Sequence, residues 1–406
     1  MHAEHWQRWV WLLWLTQLLT IGAMEMSGPF WPLYFSQLEQ VPDSWASSAA
    51  ALAYILPLAG AMISAPFWGR LGDRVGHKYM ILRALTFLTL SQLLLSQLQD
   101  PLAILLIRLL QGLGAGSIAA TQAYASKLSP DNKRGFVFSK IQSATAAGSL
   151  LGPLLGGYWL ETISMDMLFL RAGGLFLLIL AGLATCLPRD RIGPPAKKQK
   201  KATAIASEPL PMLSPGLLLT AITLAQLAKR MPHSFYALYT SQVLGLGTFM
   251  TGVLYAGTGL GVLLSSPVWG PLYDRCNQPQ RRRLLALVAA TAMLLMLLQT
   301  RCDSFAQAFA VRVGWGICLG ALLPLLFAQL SALGNTASMG KRIGVGHSAT
   351  KLGALLGIGI GALLFSLNGY QAGFIGTGLI YLALLLLLAL PFSQPQPAAS
   401  TASPHS

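Results

Sequence analysis

Charge is scarce in this chain of 406 residues, and negative charge is scarcer still. Only 10% of the residues are charged, and 13 Asp and Glu stand against 28 Lys and Arg. A soluble protein carries about 25% charged residues. Hydrophobic residues make up 54% and the mean hydropathy is +0.58. One very large soluble core is excluded, because such cores stop growing near about 250–300 residues. Cysteine is sparse too. Cys186, Cys276, Cys302 and Cys318 are widely scattered, with no CxxC pair, which argues against disulfides and zinc. HExxH and GxSxG do not occur, and Gly340-Lys341-Arg342 lacks the glycine spacing of a phosphate loop. Neither a cofactor, nor a metal, nor a catalytic constellation is expected.

What the chain has is apolar length. A membrane-spanning helix needs roughly 20 apolar residues, and such stretches recur at 9–35, 45–68, 79–97, 101–126, 137–160, 167–187, 214–240, 248–270, 284–300, 304–333, 343–367 and 371–391. Runs this long cannot alternate like barrel strands, so helices are expected. The reading is an all-α polytopic membrane protein with twelve spans. Residues 1–187 form one six-helix unit and 214–391 a second. The charged, Pro-rich stretch 188–213 reads as a linker, and 392–406 as a disordered tail. Trp9 to Tyr34 is too long for a signal-peptide core and is expected to be the first span. Trp6, Trp9, Trp11 and Trp14 look like interface anchors.

The net charge of +15 would suit nucleic acid, but the basic residues sit in short runs between spans. Arg70, Arg74, Lys78 and Arg83 follow span 2. Lys127, Lys133, Arg134 and Lys140 surround the 4–5 loop. Six more lie in the linker, four follow span 8, and Lys341 and Arg342 follow span 10. The opposite loops carry Glu39, Asp43, Asp100, Glu161, Asp166 and Asp303. This alternation obeys the positive-inside rule and places both termini in the cytoplasm, in a cell inner membrane.

The halves repeat. Met24-Glu25-Met26 matches Lys229-Arg230-Met231 at an offset of 205, and the stretch from Phe30 to Tyr34 matches that from Phe235 to Tyr239. Ser143 matches Ser348 at the same offset. Gly69 and Asp73 match Gly270 and Asp274 at 201, and Arg108 matches Arg312 at 204. Parallel repeats with a site at their interface are a transporter architecture.

Three motifs carry a family resemblance. Gly69-Arg70-Leu71-Gly72-Asp73-Arg74-Val75-Gly76-His77-Lys78 resembles the 2–3 loop signature of the major facilitator superfamily, with His77 where Arg is usual. Arg108 to Ala115 resembles its span-4 motif, and Gly148 to Gly157 its span-5 motif of exporters and antiporters. The resemblance covers essentially the whole chain. It implies two pseudo-symmetric six-helix bundles, a monomer, and a conformational latch at Gly69, Asp73, Arg74, Gly76 and Lys78. It implies a proton-coupling role for Arg108 and an antiporter motif at Gly148, Gly152, Pro153, Gly156 and Gly157. Glycines there allow close helix packing, and Pro153 bends the helix.

Deep charges point to the site, because an intramembrane charge costs at least ~2.5–3.5 kcal/mol and usually faces a cavity. Arg108, Lys229, Arg230, Arg312 and Lys351 are deep, and Glu25 is the one deep acid. Glu25 and Arg108 lie roughly 15 Å and 10 Å from the outer ends of spans 1 and 4, so they can face one another. Burial favours a neutral carboxylate and a guanidinium favours a charged one. Glu25 is therefore the expected carrier of the coupled proton and Arg108 its tuner, with a static ion pair as the alternative. Lys229, Arg230, Arg312 and Lys351 would form a cationic wall, with Phe30, Trp31, Tyr34, Phe235, Tyr236 and Tyr239 either stacking on an apolar part of the substrate or taking core or lipid-facing places. His233 and His347 are read as simple hydrogen-bonding groups in preference to proton relays.

The surplus of buried cations suggests a small amphiphilic substrate that is anionic or carboxylate-bearing, of siderophore or organic-acid type, exported against protons by alternating access. The alternatives are a broad-specificity multidrug antiporter, an organic-anion importer, and a membrane-embedded enzyme or sensor. The partners expected are a small molecule, protons and the lipid bilayer, with no nucleic acid.

Overall fold

The structure, a computed structural model, describes residues 6–130, 133–188, 213–331 and 339–389. The stretch 189–212, which holds most of the expected linker, and the tail 392–406 lie outside the described residues. Every element among the described residues is helical. Span 1 comprises Trp6–Ser27, a tight turn Gly28–Phe30, and Trp31–Ser36. Span 2 is Asp43–Val75 and span 3 His77–Leu95. Span 4 is split into Pro101–Leu113 and Ser117–Leu128. Spans 5 and 6 are Arg134–Trp159 and Met165–Cys186. Span 7 comprises Pro215–Arg230, the turn Met231–Ser234, and Tyr236–Gln242. Spans 8, 9 and 10 are Thr248–Asp274, Gln278–Gln299 and Phe305–Ser331. The last helix, Met339–Ala389, holds two spans, because Asn368 and Gly369 leave helical angles and Gly369 has φ 69°.

Among the described residues nine segments are long and apolar enough to cross a membrane. Counting the last one as spans 11 and 12, and adding span 5 and the interrupted span 7, brings the number to the twelve expected. One expected helix is two. Span 4 stops at Leu113, and Gly116 sits at φ 123°, a conformation suited to glycine. Arg83 fills the break. Its Nη2 donates to the Ala115 carbonyl at 2.8 Å, and its guanidinium lies 3.6 Å above the Trp68 ring.

The sequence repeat is a packing repeat. A Cβ on Gly112 would stand 2.2 Å from the Pro57 oxygen, and one on Gly316 would stand 2.2 Å from the Thr258 oxygen. Trp68 donates through Nε1 to the Leu113 carbonyl at 2.6 Å, and Trp269 to that of Ile317 at 3.0 Å. Spans 2 and 4 thus cross as spans 8 and 10 do. Spans 1 and 5 meet where Gly148, Gly152 and Gly156 face Leu18, Gly22 and Met26, and spans 7 and 11 meet where Gly353, Gly357 and Gly361 face Thr223, Leu227 and Met231. Each small residue lets two backbones approach closely, the packing that holds helices together in lipid. Each half has its own buried core.

The halves meet along two seams, span 5 on span 8 and span 2 on span 11. In the first, a Cβ on Gly252 would lie 2.3 Å from the Pro153 oxygen. Thr248 Oγ1 donates to the Gly157 carbonyl at 2.9 Å, and the Phe249 amide to Glu161 Oε1 at 3.3 Å. In the second, Ala51, Tyr54 and Ile55 pack on Ile358 and Ala362. These contacts lie toward the acidic-loop ends. At the basic-loop ends of spans 2 and 8, Gly69 and Gly270 have open space around them.

Candidate functional site

The two interrupted spans meet the rest of the site where their helices stop. Pro29 and Pro232 stand in the two turns and lack the amide that an uninterrupted helix needs. Residues just before the breaks are Glu25 in span 1 and Lys229 and Arg230 in span 7. Breaks at corresponding places in two repeats are the feature by which transporters form a midplane site.

Glu25 is half-buried, and its side chain folds over its own turn, where a Cβ on Gly28 would stand 2.9 Å from Oε2. The cations that act on its carboxylate are Arg230, Arg108 and Lys229, in that order. It makes no ion pair within 4 Å among the described residues. Tyr54 closes the other side of the turn, donating its hydroxyl to the Gly28 carbonyl at 2.5 Å. Arg108 is held from three directions. Its Nε donates to the Ala53 carbonyl at 2.8 Å, its Nη1 donates to Gln111 Oε1 at 2.5 Å, and its guanidinium lies 4.8 Å from the Trp31 ring centre.

The second half brings Arg230, His233 and Arg312 together. Arg230 Nη1 lies 3.4 Å from His233 Nε2. The His233 ring stands between Tyr54 and Tyr255, with centroids 6.1 Å and 6.2 Å away. Aromatic contact therefore runs from the first half to the second through one histidine. Arg312, 4% exposed, is surrounded by Tyr236, Trp315 and Tyr255 at 4.1, 4.9 and 5.1 Å. The arrangement is one carboxylate among several cations, wrapped in aromatic rings, at the meeting of two broken helices. It can hold an anion and can exchange a proton.

The family model of the Major Facilitator Superfamily matches residues 13–299 and 218–405. The chain belongs to the Major Facilitator Superfamily. It is 28% identical to "Multidrug resistance protein MdtG" of Klebsiella pneumoniae over 408 residues, covering 99% of this chain and 98% of that protein. It is 26% identical to "Staphyloferrin B transporter" of Staphylococcus aureus over 395 residues, covering 93% and 91%. The fold is that of the D-xylose-proton symporter, with a TM-score of 0.71 at 16% identity over 93% of this chain and 96% of that one. The human organic anion transporter MFSD10 matches with a TM-score of 0.60 at 17% identity, over 94% and 99%. Members of this superfamily are transporters of small molecules, so the chain is a multi-pass membrane transporter and not an enzyme.

Several expected cavity residues lie elsewhere. Phe30, Tyr34, Phe235 and Tyr239 come after the breaks and turn into the cores of their own halves. Phe30 is 1% exposed. Tyr34 donates to Asp166 Oδ1 at 3.0 Å and the Leu98 carbonyl at 3.3 Å. Phe235 stacks on Phe365, and Tyr239 donates to the carbonyls of Cys302 and Gln299. Their repeat-mates in sequence are repeat-mates in packing, which is a structural role. Lys351 is also away from the cluster. Gly361 meets Met231 and Gly353 meets Thr223, so Lys351 lies about nine residues, roughly 13 Å, below the level of Arg230.

In the superfamily's 2–3 loop, Gly76 makes the turn at φ 98°. Lys78 donates to the carbonyls of Leu187 and Ala184 at the end of span 6, in its own half. Arg74 is exposed, and the Asp73 side chain lies outside the described residues. Gly69 has open space around it. The span-5 motif divides in two. Gly148, Gly152 and Gly156 serve their own half, and they have repeat-mates in span 11. Pro153 and Gly157 face the other half; their positions in span 11 hold Ile358 and Ala362. Trp14 is tied to span 5, donating to Ser143 Oγ at 3.1 Å, and so is more than an interface anchor.

Sequence reading missed Tyr54, Tyr255 and the central place of His233. The signal was available, because Tyr54 and Tyr255 are repeat-mates at the offset of 201 that relates Gly69 to Gly270. Gly28-Pro29 and Met231-Pro232 were the signal for the two breaks.

Proposed function

We propose that this transporter is a proton-coupled antiporter that exports a small amphiphilic, anionic or carboxylate-bearing molecule from the cytoplasm across a bacterial-type inner membrane. The observation that carries the proposal is the single deep carboxylate, Glu25, set at a helix break within electrostatic reach of Arg230, Arg108 and Lys229. A carboxylate in that place can take up a proton or stay charged beside its cations, and an anionic substrate competes with it for them. The seam contacts lie toward the acidic-loop ends, and the basic-loop side is the cytoplasmic side by charge bias. Substrate enters there, the halves rock about the seams, and protons arriving from the other side reset Glu25. The 2–3 loop, with Asp73, Arg74 and Lys78, would latch the halves when the cytoplasmic ends close. The printed name of the Staphylococcus relative supports a defined natural ligand.

A second reading, broad multidrug efflux, is favoured by the ring line Tyr54, His233, Tyr255 and Tyr236 and by the printed name of the Klebsiella relative. The test is proton movement in proteoliposomes with an internal pH dye, comparing polycarboxylates with lipophilic cations. Flux triggered by carboxylates and lost in Glu25→Gln is expected. Flux triggered by lipophilic cations alone would favour multidrug efflux, and unchanged coupling in Glu25→Gln would remove Glu25 from the mechanism.

A further inference from the structure

Arg108 and Arg312 are repeat-mates, and both lie on an aromatic ring supplied by repeat-mates, Trp31 and Tyr236. Their remaining surroundings differ. Beside Arg108 stands Gln111, whose Oε1 accepts from Nη1. The corresponding residue beside Arg312 is Trp315, which presents a ring face and no acceptor. Arg108 Nε has the Ala53 carbonyl, whereas Arg312 Nε is buried with no acceptor among the described residues. No carboxylate pairs with Arg312 there either. The hydroxyls follow the same pattern. Tyr54 donates to Gly28, while its mate Tyr255, and with it Tyr236 and Thr258, bury hydroxyls that bond to nothing described.

A buried guanidinium without an anion or an acceptor is costly. The Tyr236 and Tyr255 rings lie against that guanidinium, and Thr258 lies one turn along span 8 from Tyr255, so three unpartnered hydroxyls share this part of the fold. The geometry points to a binding subsite in which Arg312 holds the substrate's carboxylate, with Tyr236, Tyr255 and Thr258 supplying further hydrogen bonds and the rings of Tyr236, Tyr255 and Trp315 excluding water. The shared requirement is a planar, delocalised anion next to flat or apolar substance. The guanidinium offers a two-pronged contact to a carboxylate, and rings on several sides accept a flat neighbour. In the first half the Ala53 carbonyl and Gln111 Oε1 already meet the needs of Arg108, so recognition is one-sided although the fold is two-fold. This deepens the anionic-substrate reading and rests on it, adding which cation receives the anion: Arg312, which has no hydrogen-bond partner among the described residues, ahead of Arg230, whose Nε is likewise buried without an acceptor but whose Nη1 has His233.

The test is equilibrium binding to the purified full chain in detergent, with no proton gradient. The probes are 1-naphthoate, its primary amide 1-naphthamide, and citrate. Naphthoate should bind at least about tenfold more tightly than the amide, since hydrogen bonds to charged groups are the stronger class, and more tightly than citrate. In Arg312→Gln that preference for carboxylate over amide should collapse, where a merely structural role would weaken both ligands alike. Tyr255→Phe preserves the ring and should weaken naphthoate several-fold with less effect on the amide. It serves as the decisive variant if Arg312→Gln does not fold. A carboxylate preference that survives both substitutions overturns the subsite and leaves the anionic reading standing on Lys229 and Arg230. A wild-type chain that binds neither carboxylate more tightly than 1-naphthamide overturns the anionic reading and the subsite with it.

Discussion

Arg230 Nη1 lies 3.4 Å from His233 Nε2, and that contact fixes what the histidine does. A guanidinium only donates, so Nε2 must accept and the ring proton must sit on Nδ1. A neutral imidazole in that tautomer positions Arg230 and needs no titration. His233→Gln offers an amide oxygen in its place and should retain most proton-coupled flux. His233→Leu removes the acceptor and leaves Arg230, whose Nε is already without one, with none among the described residues. Flux should fall about tenfold, the size of one buried hydrogen bond to a charged group. Loss of coupling in His233→Gln would instead make His233 a proton relay.

Gly28 sets where the Glu25 carboxylate rests. A methyl group there would stand 2.9 Å from Oε2, and the side chain would have to swing away toward its cations. Gly28→Ala should therefore shift the pH dependence of substrate-driven flux while the protein still folds, because the obstructing atom is the end of a flexible side chain. Gly182→Ala, with nothing within 4 Å of the added atom, is the control and should leave the profile unchanged. Identical pH profiles for the two variants would show that Glu25 does not carry the proton.

The contrast between those glycines indicates how far sequence reasoning reached. Hydropathy found the spans because lipid demands apolar length, and the offset of 205 found the halves because duplicated helices keep duplicated contacts. Even the break between spans 11 and 12 fell where the apolar pattern stops. Depth along a helix was readable for Glu25 and Arg108, and repeat symmetry added Arg230 opposite them, but depth failed for Lys351, which was set with the deep cations and lies roughly 13 Å below Arg230. Azimuth was not readable. Phe30 lies next to Trp31, whose ring meets Arg108, and Tyr34 lies nine residues beyond Glu25, yet both face the core of their own half, because a broken helix restarts with a new rotation. Whether Arg108 or Arg312 is the satisfied member of the pair depends on Gln111 and Trp315, one turn away. Neither residue stands out until the two halves are laid over one another.

Two matched close helix approaches carry a prediction of equality. Gly112 and Gly316 would each place a Cβ 2.2 Å from a backbone oxygen, of Pro57 and Thr258. Backbone cannot move aside as a side chain can, so overpacking should cost about 1–3 kcal/mol in either case. Gly112→Ala and Gly316→Ala should lower the thermal unfolding midpoint in detergent by similar amounts, each far more than Gly182→Ala. A large loss in one half only would mean that the halves are not mechanically equivalent.

The seam between spans 5 and 8 should govern which side of the protein is open. A Cβ on Gly252 would lie 2.3 Å from the Pro153 oxygen, and its repeat-mate Ala51 already carries that methyl group in the looser seam against Ile358 and Ala362. Gly252→Ala thus forces apart the tighter of two related contacts without touching a charge. A penalty of about 1–3 kcal/mol confined to the state with that seam closed would shift its population roughly 5- to 150-fold. Spin labels on Thr162 and Gln242, both exposed and on opposite halves, would report the shift as a longer distance in pulsed dipolar measurements. Proton-coupled flux should fall with it, because a seam that cannot close stalls the cycle. If the distance distribution stays as in wild type while only the unfolding midpoint drops, the close approach serves stability, and Pro153 and Gly157 must act on transport by some other route.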